Sequence, residues 1–303
     1  MIAIKTDNLT KIFPNNRGIR DLSIEVEEAE VLSFLGVNGA GKTTTVRMLA
    51  GMIMPTSGSA EVFGADISKN PAAIHETVGL LTETPGFYEK MSLEANLRFF
   101  AGFYKKTNVE SQVNKYLELF DLQERRKENV SSLSKGLKQR LAICRAMVHE
   151  PKILFFDEPT SGLDPESALN IKKIIKKLKE EGRTIILCTH NLTEADELSD
   201  RIAIINGKLL EMQTPSQLKK KYFRRVLILK TKDTIEKVKS VLSQNKIGVS
   251  NGDIEIEAED DEIKSEMIKK LVGAGIDVQE IFEKSASLEE AYMKVMAEGR
   301  NNE

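Results

Sequence analysis

Eight consecutive residues, Gly36-Val37-Asn38-Gly39-Ala40-Gly41-Lys42-Thr43, fit the spacing G-x-x-x-x-G-K-[ST]. They follow the apolar run EVLSFLG, which reads as a strand, and open a segment of helical periodicity. Glycines let backbone N–H groups turn inward around phosphate oxygens, and a helix N-terminus adds partial positive charge there. Lys42 then reaches the terminal phosphates, and the Thr43 hydroxyl is placed for Mg²⁺. A bare strand-to-helix turn has no use for a lysine and a hydroxyl at these offsets. The candidate phosphate-binding residues are therefore Gly36, Asn38, Gly39, Ala40, Gly41, Lys42, Thr43 and Thr44.

A second apolar run, Ile153-Leu154-Phe155-Phe156, ends in Asp157 and Glu158. Buried strands rarely place adjacent acids at their tip without a task. Asp157 is the candidate to accept from Mg²⁺-bound water or from Thr43. Glu158 is the candidate to orient and deprotonate an attacking water, a role typically contributing ~10²–10⁴-fold.

The elements that must hold these residues alternate. Short β-branched runs, among them ILFFDE and TIILCTH, are each followed by helical periodicity, which predicts an α/β fold with parallel central strands. The clearest helix follows Asp164, a natural N-cap. Pro165 suits the first position, Ile171, Ile174, Ile175 and Leu178 form an apolar stripe, and Gly182 ends it. Between about residues 83 and 150 the strand signal disappears, which predicts a helical insertion. Asn206-Gly207 reads as a hairpin turn, and 214–221 as a short helix leading to a boundary. The last eighty or so residues read as strand, helix, strand, helix, strand, helix, a small α+β domain of ferredoxin-like type. The expected division is 1–220 and 221–303.

With 303 residues, 41% hydrophobic and 30% charged, the chain is a foldable globular protein, not a low-complexity one. A net charge of −2 gives no global drive toward nucleic acid or anionic lipid. The lysine run Lys172, Lys173, Lys176, Lys177 and Lys179 lacks interleaved aromatics and reads as a solvated helix face. Cys144 and Cys188 lie in apolar runs, so neither a disulfide framework nor a cysteine zinc site is expected, and the cytosol is the expected compartment. No segment approaches eighteen uninterrupted apolar residues, so any work at a membrane is expected of a peripheral subunit.

Leu133-Ser134-Lys135-Gly136-Leu137-Lys138-Gln139-Arg140 precedes the acid-tipped strand at the place of the signature motif of ABC ATPases. Over roughly residues 1–215 the sequence resembles the nucleotide-binding subunits of ABC transporters. By that resemblance the acid-tipped strand is Walker B, Ser161-Gly162-Leu163-Asp164 is the D-loop and His190 is the switch histidine. The implied fold is a P-loop NTPase core with a helical subdomain. The implied substrate is ATP with Mg²⁺, and the implied active form is a head-to-tail dimer, with itself or with a paralogous ATPase. Each ATP would be held by one subunit's P-loop and by Ser134, Lys135 and Gly136 of the other. His190 would bond the γ-phosphate, Phe13 would stack on adenine, and Glu83 would stand at the Q-loop position near the metal.

Lys135 stands where many members have glycine, Leu137 and Glu83 where many have glutamine, and Val37 where proline is frequent. Such a set resembles the branch whose ATPases pair with separate membrane permeases exporting drugs, peptides, polysaccharides or sodium. That places the chain on the cytoplasmic face of the membrane, with Phe87, Tyr88 and Phe99 as candidates either for docking the permease or for packing within the insertion. A soluble ABC ATPase acting on nucleic acid, ribosomes or a biosynthetic scaffold is the alternative. A single ATPase cassette, no long heptad insertion and no zinc-like cysteine pairs count against it, and no nucleic-acid partner is expected.

Overall fold

The computed structural model describes every residue except 105–107, 223–225, 243–245, 251, 258–260, 285–286 and 302–303. The ends of the sequence-predicted C-terminal segments at Arg225, Ser243, Gln244, Ala258 and Glu259 lie outside the described residues. The chain divides into two compact units, Met1–Pro215 with Gly299–Glu303, and Ser216–Glu298.

The first unit opens with β1 (Ile2–Ile12), β2 (Gly18–Leu22), β3 (Glu25–Glu27) and β4 (Val31–Leu35). After α1 (Lys42–Leu49) come β5 (Ser57–Val62), β6 (Ala65–Asp66), α2 (Pro71–Thr77) and β7 (Val78–Leu81). Three helices follow, α3 (Leu93–Ala101), α4 (Val109–Leu119) and α5 (Lys135–Met147), which form the expected helical insertion. The remainder is β8 (Ile153–Asp157), α6 (Pro165–Glu180), β9 (Thr184–Thr189), α7 (Leu192–Leu198), β10 (Arg201–Ile205) and β11 (Leu209–Gln213).

The central sheet runs β11-β10-β4-β9-β8-β7, parallel except for β11 at one edge. Its middle strands β4, β8 and β9 are buried along their whole length, which is why they read as unbroken apolar runs. Alternate residues serve opposite faces. Ile153 and Phe155 join the core containing Val46 and Leu49 of α1, while Leu154 and Phe156 join the core containing Leu97, Leu117 and Leu141 of the insertion. The insertion is thus anchored on the face behind Walker B.

A second, antiparallel sheet, β2-β1-β5-β6 with β3 also on β1, was not foreseen from the sequence. Register shifts at Ile2/Ile4 and Leu9/Lys11 interrupt the alternation of β1, so its period-2 signal is broken. Asp164 caps α6 as expected, accepting from Ser167 N–H at 2.9 Å, and Ile171, Ile175 and Leu178 are buried.

After α8 (Pro215–Tyr222), the second unit contains β12 (Val226–Lys230), α9 (Ile235–Val241), β13 (Ile247–Ser250), β14 (Asp253–Glu257), α10 (Asp261–Gly273) and β15 (Glu280–Glu283), and α11 (Leu288–Asn301) begins in it. The sheet order is β13-β14-β12-β15, antiparallel throughout, a βαββαβ arrangement of ferredoxin-like type. The sequence reading placed one strand between the two helices; the structure has a hairpin there. Strand β13 holds Gly248 and only four residues, too short to show alternation. Leu227, Leu229, Ile254 and Ile256 pack with Val238, Met267 and Leu271 to close this core.

Among the described residues no helix is long and apolar enough to cross a membrane.

Candidate active site

Strand order assembles the site. The P-loop follows β4, His190 follows β9, Asp157 and Glu158 end β8, and Glu83 follows β7, and these strands are neighbours in the order β4-β9-β8-β7. Residues far apart in sequence therefore converge at the carboxyl ends of parallel strands, where open α/β sheets bind ligands.

In the loop, Gly36 lies so close to β10 that a Cβ there would sit 2.4 Å from the Ile205 carbonyl oxygen. Gly41 adopts φ +106° as it turns into α1, a conformation that side chains rarely reach. The Lys42 ammonium is buried and donates to the carbonyls of Gly36 at 2.6 Å and Val37 at 3.3 Å. It thus spans the loop from within and holds its curve.

Glu158 has φ +52°, a left-handed backbone at a non-glycine residue that costs on the order of 1–3 kcal/mol. Its N–H donates to Cys188 O at 2.9 Å. The carboxylate is 11% exposed, with one oxygen 2.8 Å from His190 Nδ1 and the other 3.7 Å from Lys42 Nζ. The strained turn aims the acid off the strand tip into the space between histidine and lysine.

Asp157 lies beneath. Burial pushes its carboxyl above the ordinary value, the charges of Glu158 and Glu83 act in the same direction, and the Thr43 hydroxyl and Lys42 oppose them. Its Oδ1 is buried without a hydrogen-bond partner.

A cleft of about 380 Å³ opens over these groups, lined by Phe13, Asn38 through Thr44, Glu83, Glu158 and His190. Of the sequence-predicted residues, Gly36 and Asp157 are not part of its lining, nor are Ser134, Lys135, Gly136 and Asp164. Ser134 instead caps α5, accepting from Leu137 N–H at 3.3 Å, and Gly136 packs so closely on α6 that a Cβ would sit 2.4 Å from Ser167 Oγ. Sequence reasoning missed Asn15, Arg17 and Gly18, which with Ser161 of the expected D-loop complete the cleft wall. The stretch PNNRG carries only a turn signal, so nothing local could have assigned Arg17 to the cleft.

Comparison with known proteins bears on the family. The ABC transporter family matches residues 19–161. The chain is 37% identical to the bacitracin transport ATP-binding protein of Bacillus licheniformis over 98% of each chain. It is 36% identical to a fluoroquinolones export ATP-binding protein of Mycobacterium tuberculosis over 72% of each chain. A solved ATP-binding subunit of an ABC transporter superimposes with a TM-score of 0.66 at 27% identity, covering 73% of this chain and 93% of its own. Likeness of this extent, on a fold and a cleft of this kind, makes the chain a member of the ATP-binding proteins of ABC transporters, an ATPase family.

Proposed function

We propose that this chain is the ATP-hydrolysing subunit of an exporter, passing the motion driven by ATP binding and hydrolysis to a separate membrane permease. The observation that carries the chemistry is the convergence of Lys42, Glu158 and His190 on one cleft. The loop N–H groups and Lys42 bind the terminal phosphates, and Phe13, 38% exposed at the cleft rim, stacks on the base. His190 orients the attacking water. Glu158 takes its proton as the water oxygen bonds to the γ-phosphorus, and the β–γ bridging oxygen leaves with ADP.

The donor set fits Mg²⁺. A buried carboxylate oxygen lacking a partner, a hydroxyl directed at that carboxylate and a second acid just beyond the adjacent strand are hard oxygen ligands, few enough to leave positions for phosphate and water. Asp157, Thr43 and Glu83 would hold the ion, which supplies charge neutralisation for the phosphates when bound. Glu83 serves here as a carboxylate ligand.

The composite dimer rests on Ser134, Lys135 and Gly136 lying outside their own chain's cleft, at the start of a helix whose unpaired N–H groups suit another subunit's γ-phosphate. The partner ATPase is a second copy or a paralogue. For the permease, the contact is the aromatic surface of the insertion: Tyr88, Phe99 and Phe103 are exposed and meet edge to face at about 5 Å. Phe87 instead packs against the insertion core beneath Arg145, 4.9 Å from its guanidinium. The chain then sits at the cytoplasmic face as a peripheral subunit. Residues 221–303 form an accessory domain. The names of the relatives, a bacitracin transporter and a fluoroquinolone exporter, support export of drugs or peptides.

The test is to purify the chain gently from detergent-solubilised native membranes and identify its stoichiometric partners by mass spectrometry. A multi-span protein supports the exporter reading. Ribosomal proteins, nucleic acid or soluble enzymes in its place would leave the ATPase standing and end the transport assignment.

A further inference from the structure

The three residues that follow Glu158 are each held by a side chain from another element. Gln139 Nε2 donates to the Pro159 carbonyl at 2.7 Å in a buried bond. The Thr160 hydroxyl donates to Glu194 Oε1 at 3.0 Å, and Glu194 on α7 is fully buried. The Lys135 ammonium donates to the Ser161 carbonyl at 3.1 Å. Lys135 and Gln139 are one helical turn apart on α5, so they present donors from the same face. The loop itself folds back on the acid, because Ser161 N–H donates to the Glu158 carbonyl at 3.1 Å.

Lys135 occupies this position through a close fit. Gly162 has φ +63°, and a Cβ there would lie 2.3 Å from the lysine nitrogen. A glycine at 135 would leave the Ser161 carbonyl without this donor, so the contact belongs to the lysine form of the signature. The opposite side of the loop is tied to the histidine: Glu194 N–H donates to Asn191 Oδ1 at 3.1 Å, and Asn191 N–H to Thr189 Oγ1 at 3.0 Å. Pro159 to Ser161 therefore bridges the helix that begins at the signature and the turn that carries His190.

We propose that Lys135 and Gln139 are positioning residues for hydrolysis, making turnover at Glu158 depend on the setting of α5 and hence on what the signature at its N-terminus has engaged. The inference rests on Glu158 being the base. Glu158 is poised to respond, since its backbone is strained and its carboxylate has a single short contact, to His190. A helix moves as a rigid unit, and a displacement on the order of 1 Å at reacting groups can cost ~10²-fold in rate. Two hydrogen bonds from α5, to the Pro159 and Ser161 carbonyls, transmit such a displacement from outside the chain's own nucleotide cleft.

The experiment compares Gln139→Met, Lys135→Met and Lys135→Arg in ATPase assays, with ATP affinity by calorimetry and melting temperature measured alongside. Gln139→Met is expected to lower kcat about tenfold or more, because its bond is buried. Lys135→Met should lower kcat roughly two- to fivefold, since this bond is in contact with water. ATP affinity of the single chain should stay within about twofold, because neither residue lines its own cleft, and Lys135→Arg, which keeps a donor, should recover most of the rate. Sedimentation of Lys135→Met in a Glu158→Gln background separates its two roles: ATP-driven dimers beside slow turnover keep it a positioning residue, and loss of those dimers assigns it to the partner's nucleotide and overturns its positioning role. Should Gln139→Met fail to fold, the exposed Lys135 pair decides alone. Unchanged kcat in the Met variants, or ATP affinity falling in step with kcat, overturns the proposal. Full turnover in Glu158→Gln alone removes the base assignment and the inference with it, whereas a slow Glu158→Gln beside fast Met variants removes only the inference.

Discussion

Glu158 and His190 meet at 2.8 Å although they belong to different strand ends, because β8 and β9 are paired with Asp157 opposite Cys188. The next residue on β8 must turn sharply to reach across, and the left-handed backbone at Glu158 supplies that turn. Its other oxygen lies 3.7 Å from Lys42, so the carboxylate is suspended between the P-loop lysine and a histidine. A proton acceptor in that position can face a water in line with the terminal phosphate without itself binding the nucleotide.

Glu158→Gln keeps the shape and removes the basic oxygen. Turnover should fall by ~10²–10⁴-fold while ATP affinity persists, and an ATP-bound dimer should accumulate in sedimentation. Near parental turnover in this variant takes Glu158 out of the base role.

Phe13 is exposed at the cleft rim, with Lys11 Nζ 5.7 Å from its ring centroid. Removing the ring in Phe13→Ala should weaken ATP binding by ~1–3 kcal/mol, and GTP binding by a similar amount because every base offers a π face. Phe13→Tyr should restore both. Calorimetry that finds equal affinity in parent and alanine variant assigns Phe13 to packing.

The parts of this site legible in the sequence are those whose chemistry is local. A P-loop declares itself because backbone turn, lysine and hydroxyl must all be contiguous, and Walker B because two acids end an apolar run. What was not legible depends on strand order. Arg17 and Asn15 reach the cleft through the β1–β2 turn, and only the antiparallel sheet, whose register shifts hide its alternation, puts that turn there. The hold of Gln139 and Glu194 on the loop after Glu158 was equally invisible, since each sits within an amphipathic helix where a buried polar residue has no local signature. In the second unit, β13 was missed for the same kind of reason, a short strand whose partner is supplied by the hairpin.

Asp157 gives a pH-dependent prediction. Burial raises its carboxyl above the ordinary value, so the folded chain holds that proton more tightly than the unfolded one. Its contribution to stability is fully present below the unfolded value, about pH 4, and is lost as pH rises through the higher folded value. Asp157→Asn removes the cost of the buried charge. Without nucleotide the variant should melt above the parent at neutral pH, and the difference should shrink toward zero as pH falls to about 4. The same variant should lose the part of ATP affinity that depends on Mg²⁺. A neutral-pH melting temperature below the parent's reverses the electrostatic argument, and an unaltered Mg²⁺ dependence removes Asp157 from the metal site.

The proposed composite site makes its own demand on Ser134. Its hydroxyl caps α5 by accepting from Leu137 N–H at 3.3 Å, and the residue is exposed, so a larger side chain there meets solvent in the single chain. In a head-to-tail dimer the same position faces the other subunit's γ-phosphate, where the bulk of an arginine blocks approach before its charge can help. Ser134→Arg should therefore bind ATP with an affinity close to the parent's, because its own P-loop, Glu158 and His190 are untouched. It should stay monomeric in sedimentation at ATP concentrations that dimerise Glu158→Gln, and its turnover should fall with the loss of dimer. The lost cap costs about 1 kcal/mol, too little to unfold the chain, so a normal melting curve separates failed assembly from failed folding. ATP-driven dimers of normal strength in Ser134→Arg would mean that each cleft works without its neighbour's signature.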